Sequence, residues 1–304
     1  MIVEEQIKNL DNQVVKVKKR KVPRSINQDL VPLYFTACFT GCKNSGKSYG
    51  LVKMLKNFES NSIYDEDKNK IPIRIILICP TANSSANPIY KTLKDLDEDD
   101  IHTEYSDTLL NQILDDIKAE KEEIEERVKY IKTYNKFLKS KTLKNLKEEE
   151  LLLLFQYDYA SPEELPKLKY DFPPAVFLIL DDMIGNNDCF KKGNCTISNL
   201  TIKHRHLGIN LIYTTQNPKS IPNIIRANID LWVLYRFSNV NIIIDKCYEE
   251  VSSIISEEDF MKLYLHATKE PYNAFVIDTH PSTDNKRRFK KNFDVVLRYD
   301  GDTS

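Results

Sequence analysis

Three observations predict an α/β fold with a mostly parallel sheet. Six apolar runs recur along the chain with helical stretches between them; the first run leads into a loop bracketed by glycines; and the third ends in two adjacent aspartates. The runs are Leu33–Phe39, Ile71–Pro80, Val176–Leu180, Ile209–Thr214, Leu231–Phe237 and Ala274–Asp278. They are continuously apolar rather than alternating, as expected of strands buried on both faces, and helices between them supply the cover.

The loop after the first run, Gly41-Cys42-Lys43-Asn44-Ser45-Gly46-Lys47-Ser48, matches the phosphate-binding pattern G-x-x-x-x-G-K-[ST] at every fixed position. Backbone N–H groups in such a loop cradle phosphates, Lys47 reaches the β- and γ-phosphates, and the Ser48 hydroxyl is placed to ligate Mg²⁺. A helix from Lys47 to about Lys56 aims its positive dipole end at the same anion. Only 7 of the 304 residues are glycine, and Gly41, Gly46 and Gly50 fall within ten positions, which suggests glycine kept where backbone approaches phosphate.

Val176–Leu180 delivers Asp181 and Asp182 to a strand's carboxyl end, the edge at which parallel α/β sheets bind ligands. Asp181 is the candidate for holding Mg²⁺, a hard cation that takes oxygen ligands, and Asp182 for orienting or deprotonating an attacking water. Asp182-Met-Ile-Gly185 also fits the D-x-x-G signature of GTPases, but the chain has no N-K-x-D sequence, and Asp181 lies 133 residues beyond Ser48. Gln216 follows Thr214-Thr215 at the tip of the fourth run, where an amide can bond both a γ-phosphate and the lytic water.

About ninety residues separate the second and third runs, too many for a simple crossover. Leu110, Ile113, Ile117, Ile124, Val128 and Ile131 mark one face of a long helix, and a second helix is expected at about Leu143–Phe155. The pair reads as a helical hairpin inserted at a sheet edge, at about 106–168, serving either as a partner-binding arm or as a charged cover. Residues 1–30 form a leader whose basic run, Lys16 to Arg24, suits a nucleic-acid arm or a solvated edge strand. The catalytic domain is then 31–304. Lys286-Arg287-Arg288-Phe289-Lys290-Lys291 is a second basic run, suited to phosphate contact without base readout or to a solvated tail.

The net charge of −1 confines any nucleic-acid surface to local patches, and 41% hydrophobic with 29% charged residues excludes a disordered chain. No run approaches the ~20 apolar residues of a membrane span. The start lacks the layout of a secretion signal, and the six cysteines lack C-x-x-C or zinc spacing, so reduced thiols in an intracellular protein are expected.

Arg205-x-x-Gly208-Ile209, Thr215-Gln216-x-Pro218 and Ile225-x-Ala227-Asn228-Ile229 resemble, in order and spacing, the motor domain of the FtsK/HerA DNA-translocase superfamily. The Asp181-Asp182 pair and the basic residues before the fourth strand look most like its viral branch, the poxvirus-type genome-packaging ATPases of large nucleocytoplasmic DNA viruses. The resemblance covers roughly 30–80 and 170–280. It implies a RecA-like (ASCE) P-loop NTPase core, ATP and Mg²⁺ as cofactors, a homo-oligomeric ring on double-stranded DNA, and a capsid or portal partner. The compartment implied is the host cytoplasm or the virion. Within it Arg205 is the first candidate for an arginine finger reaching a neighbour's γ-phosphate, and Arg226 the second. A helicase, a nucleotide-gated scaffold with little turnover, and a small-molecule kinase stand as alternatives.

Overall fold

The computed structural model describes residues 22–25, 27, 29–82, 88–140, 145–183, 189 and 195–299. Lys16 to Lys21 of the basic leader lie outside the described residues. In chain order the strands are β1 (Arg24–Ser25), β2 (Thr36–Thr40), β3 (Ile63–Tyr64), β4 (Lys70–Ile71), β5 (Ile73–Ile78), β6 (Leu96–His102), β7 (Ala175–Leu180), β8 (Ile209–Thr215), β9 (Leu231–Tyr235), β10 (Ala274–Asp278), β11 (Phe289–Lys291) and β12 (Val295–Val296). Short strands β1, β3 and β4 form a small antiparallel sheet. The other nine form one sheet in the order β12-β11-β10-β9-β2-β8-β7-β5-β6.

From β9 to β6 every pairing is parallel, and β10, β11 and β12 add antiparallel strands at one end. One strand, β8, lies between β2, which feeds the phosphate loop, and β7, which carries the two aspartates. That insertion is the strand order of an ASCE-type P-loop NTPase core. The chain leaves β2 toward β5 on one side and later crosses from β8 to β9 on the other, so the β2–β8 boundary is a topological switch point with a crevice at its carboxyl end.

Alternation along the central strands divides the core into two layers. Phe35, Ala37, Phe39, Phe177 and Ile179 face α1 (Lys47–Ser60), which buries Leu51, Val52, Met54, Leu55 and Phe58 against them. Each such side chain contributes roughly 1.5–3 kcal/mol on burial, and Phe58 meets Phe177 at a ring separation of 5.1 Å. Cys38, Val176, Leu178 and Leu180 face the other layer. It is built from the first turns of α2 (Asp107–Ser140), from α4 (Thr196–Leu207) and α5 (Asn223–Arg226), and from the helical segments beyond β9. Those segments are α6 (Asn241–Ile243), a π-helical turn over Ile244–Tyr248, α7 (Glu249–Val251) and α8 (Glu257–Ala267).

β6 has the sequence Leu-Asp-Glu-Asp-Asp-Ile-His and no apolar run. It pairs at the sheet's edge, where charge discourages pairing with another chain, and Arg74 of β5 holds it through Asp100 at 2.8 Å while reaching Glu120 of α2 at 3.0 Å. α2 therefore leaves this edge anchored. Its distal half pairs with α3 (Glu148–Gln156) around a separate small core of Tyr130, Leu146, Leu153 and Leu154. The second helix was expected from Leu143. It begins at Glu148, where the Glu150 carboxylate accepts from the Lys147 N–H at 2.8 Å and satisfies that donor at the helix start.

The late basic run needs correction as a free phosphate-contacting surface. Arg287 pairs with Asp29, Lys291 with Glu270, Lys290 donates to the Asp29 carbonyl, and Arg288 donates to the carbonyls of Asp278 and His280. Four of its five cations serve the antiparallel end of the sheet.

Candidate functional site

Thr40 ends β2 and α1 begins at Lys47, so the loop between them must reverse within six residues. Asn44 and Gly46 supply the turn with left-handed backbone, at φ 60° and 99°; Asn tolerates that region and Gly enters it without strain. Gly41 has a different reason, since a Cβ there would lie 2.5 Å from Cβ of Tyr235. Gly50 also departs from the expectation that it meets phosphate. A Cβ on it would overlap the Tyr235 hydroxyl, so its small size lets α1 close on β9.

Lys47 extends back along its own loop and donates to the Gly41 and Cys42 carbonyls at 2.9 and 2.8 Å. Burial pulls its pKa below the usual lysine value, and the charges of Asp182 and then Asp181 pull it back. The Ser45 hydroxyl is buried in the same loop with no hydrogen-bond partner. A loop with a cation held at its centre, and N–H groups at a helix start, is suited to an anion.

The two aspartates occupy different environments. Asp181 is buried and accepts from three donors: Thr214 Oγ1 on one carboxylate oxygen, and on the other Tyr90 Oη at 2.5 Å and Cys79 Sγ at 3.4 Å. Burial, and after it the Asp181 charge, drives the Tyr90 phenol far above its ordinary pKa and the Cys79 thiol up to about 11, so both stay protonated as donors. The Ser48 side chain stands beside the same phenol. Tyr90 is thus a neighbour of both the hydroxyl and the carboxylate expected to hold Mg²⁺, and these two oxygen donors fit a hard cation that takes its remaining ligands from phosphate and water.

Asp182 is exposed in the cleft, with left-handed backbone at φ 52°. Its N–H donates to Thr214 Oγ1 at 2.9 Å and its carboxylate accepts from Gln216 Nε2 at 3.0 Å. Thr214 therefore fixes both aspartates, and Gln216 reaches across from β8 to the second of them. The cleft is lined by Lys43 to Tyr49, Thr81, Ile89, Asp181, Asp182, Thr214, Gln216 and Tyr272, with a volume of about 790 Å³. That size suits a small-molecule ligand such as a nucleotide. Tyr272, at φ 65° and 70% exposed, stands beside Gly46 at the mouth.

The structure brings Gly41, Cys42, Lys43, Asn44, Ser45, Gly46, Lys47, Ser48, Asp181, Asp182 and Gln216 to one end of the sheet. It does not bring Arg205 or Arg226 there. Arg205 is in the last turn of α4, at the amino end of the strands, and pairs with Asp230 at 2.6 Å; the same carboxylate accepts from the N–H of Thr36. Arg226 is buried, with Glu250, the Ile221 carbonyl and Asn223 as partners. His204, one of the basic residues before the fourth apolar run, is buried between the Thr36 hydroxyl and the Ile209 carbonyl. Sequence reasoning missed Tyr90, Thr214 and Tyr272. Thr214 had a readable signal, being two residues before Gln216 on the same face of a strand; Tyr90, on a turn over Pro88–Thr92, had none.

No protein-family model matches the chain, and neither does any curated protein. Among solved structures, the genome-packaging NTPase B204 of Sulfolobus turreted icosahedral virus 2, in complex with ATP-gammaS, is similar at 16% identity and a TM-score of 0.42, over 86% of this chain and 98% of that one. B204 of Sulfolobus turreted icosahedral virus, a DNA-packaging ATPase, is similar at 14% and 0.41, over 85% and 96%. EssC (ATPases 2 and 3) of Geobacillus thermodenitrificans is similar at 16% and 0.39, over 69% of this chain and 33% of that one. With likenesses this slight, the chemistry of the cleft follows from its own Lys47, Asp181, Asp182 and Gln216. Among the described residues no helix is long and apolar enough to cross a membrane, and the six cysteines form no disulfide.

Proposed function

We propose that this chain is an ATP-driven motor that moves double-stranded DNA as a homo-oligomeric ring, packaging a viral genome into its capsid. The observation that carries the reading is Gln216, just past β8, donating to Asp182, just past β7, at 3.0 Å, beside the phosphate loop. A γ-phosphate between Lys47 and Gln216 would compete for that amide, so the state of the phosphate is coupled to the position of β8 and of the segment after it. Ordered similarity of the Arg205, Gln216 and Ile225–Ile229 motifs to DNA translocases supplies the substrate class.

In this mechanism Lys47 leaves the Gly41 and Cys42 carbonyls for the β- and γ-phosphates, and the loop N–H groups hold the chain in place. Ser48 and Asp181 would hold Mg²⁺, which would supply charge neutralisation at the phosphates. Asp182 accepts the proton of the attacking water, and Gln216 orients that water. Tyr272 offers its ring to the base at the mouth, and Arg205 serves a neighbouring subunit's site.

The test is steady-state ATP hydrolysis by purified protein across a concentration series, with and without long duplex DNA. Turnover per subunit that rises with protein concentration and again with DNA is expected. Slow turnover indifferent to both overturns the motor and favours a nucleotide-gated scaffold; strand separation makes the chain a helicase.

A further inference from the structure

We infer that the distal end of the α2–α3 arm is a docking surface for a nucleic-acid phosphate backbone. Residues 127–147 contain seven lysines and one arginine and no aspartate or glutamate, whereas 115–126, the preceding part of the same helix, contain seven acids and two lysines. A solvated helix needs no such segregation. The proximal half shows the ordinary solution, with Lys118 paired to Asp115 and Lys121 to Glu125. Removing every acid from the distal half leaves like charges at helical spacing, which is destabilising unless an external anion relieves it.

The lysines are also arranged. Lys129, Lys132, Lys136 and Lys139 are exposed and recur at intervals of three and four, so they form one stripe about 15 Å long. Lys136 pairs with Glu150 of α3 at 2.7 Å; no carboxylate among the described residues pairs with Lys129, Lys132 or Lys139. Lys132, Lys136 and Lys139 line a shallow hollow with Asn135 and Asn145, side chains rich in N–H donors. The stripe is held on a stiff support, because Tyr130 stacks on Tyr157 at 4.3 Å and Phe137 and Phe155 both meet Tyr159. A rigid line of ammonium groups with no aromatic presented between them is suited to a linear polyanion read without regard to base sequence.

The arm runs outward from its anchor at Glu120 for about 20 residues, roughly 30 Å. None of the stripe's lysines lines the nucleotide cleft, so they can be substituted without altering that site. The identity of the polyanion as duplex DNA rests on the proposed function, and the late basic run, spent inside the protein, leaves that role open.

The experiment is fluorescence anisotropy of a labelled random-sequence duplex with the full chain, titrated from about 50 to 200 mM salt. Wild type is compared with the triple variant Lys129→Gln/Lys132→Gln/Lys139→Gln and with the charge-retaining Lys→Arg triple. The glutamine variant is expected to bind at least about tenfold more weakly, with the slope of log K against log salt reduced by roughly 2.7, or 0.9 for each lost phosphate contact. The arginine variant should retain the wild-type slope, nucleotide affinity should be unchanged in both, and melting temperature should fall in neither, the glutamine variant gaining slightly from the relieved repulsion. A glutamine variant with the wild-type slope overturns the arm and leaves the motor reading standing. Wild type that fails to bind duplex at about 50 mM salt overturns both, and binding to phosphatidylserine vesicles instead would make the surface a membrane contact.

Discussion

Tyr90 donates its hydroxyl to the Asp181 carboxylate at 2.5 Å and stands beside Ser48, so one phenol lies between the end of β7 and the start of α1. Tyr90→Phe keeps the packing and removes the bond. A hydrogen bond to a charged group is worth roughly 1.5–3 kcal/mol, and Cys79, at 3.4 Å, is a weak substitute. The variant should lose about that much stability in urea unfolding and need roughly tenfold more Mg²⁺ for half-maximal turnover, the rise expected from about 1.4 kcal/mol of lost orientation. Unchanged Mg²⁺ dependence would reduce Tyr90 to a packing residue.

Asp182 and Gln216 make a separate prediction because their bond lies in the open cleft. Asp182→Asn keeps an acceptor for Gln216 and removes the base, so nucleotide affinity should persist while kcat falls about 10²-fold or more. Lys47→Ala should abolish nucleotide binding itself. Equilibrium binding of a fluorescent ATP analogue beside single-turnover hydrolysis separates the two effects. Normal hydrolysis by Asp182→Asn would remove the base assignment.

The phosphate loop, the aspartate pair and Gln216 were legible in the sequence because each sits at the end of a fully buried strand, where an apolar run fixes its position. What escaped was fixed by tertiary contact. β6 is acidic, and it is a strand only because Arg74 and the edge of β5 accept it. Gly50 looked like part of a phosphate cradle, yet its constraint is the Tyr235 hydroxyl from β9, a contact invisible along the chain. The same holds for Lys286–Lys291, whose partners Asp29 and Glu270 come from distant segments.

His204 predicts an acid-side loss of stability. The Ile209 carbonyl, 2.8 Å from Nδ1, can only accept, so Nδ1 carries the hydrogen and Nε2 accepts from the Thr36 hydroxyl at 3.1 Å. Burial, and after it the nearby Arg205 and His206 charges, lowers its pKa below the usual 6.5, against the Ile209 bond and the Asp230 charge. The unfolded chain therefore binds this proton first as pH falls through 6.5. The contribution is full above that value and is lost below it, by up to about 1.4 kcal/mol per pH unit, until the folded pKa is reached. Urea midpoints at pH 7.5 and 5.5 should show the drop, and His204→Gln should flatten it; an equal drop in the variant would assign the effect elsewhere.

Arg205 lies at the end of the sheet opposite its own phosphate loop, so any action on phosphate must be in a neighbouring subunit. Its bond to Asp230 also supports the start of β2, and Arg205→Ala alone would confound a lost finger with a disturbed strand. Mixing separates them. Lys47→Ala subunits have no nucleotide site but an intact Arg205, and Arg205→Ala subunits have the reverse. If Arg205 acts in trans, each preparation alone should be depressed about 10³-fold. Combined, they should recover turnover well above either, because some interfaces then pair an intact loop with an intact arginine. Recovery that grows with total protein concentration would tie the finger to assembly. A mixture no more active than the sum of its parts would leave Arg205 as the structural partner of Asp230.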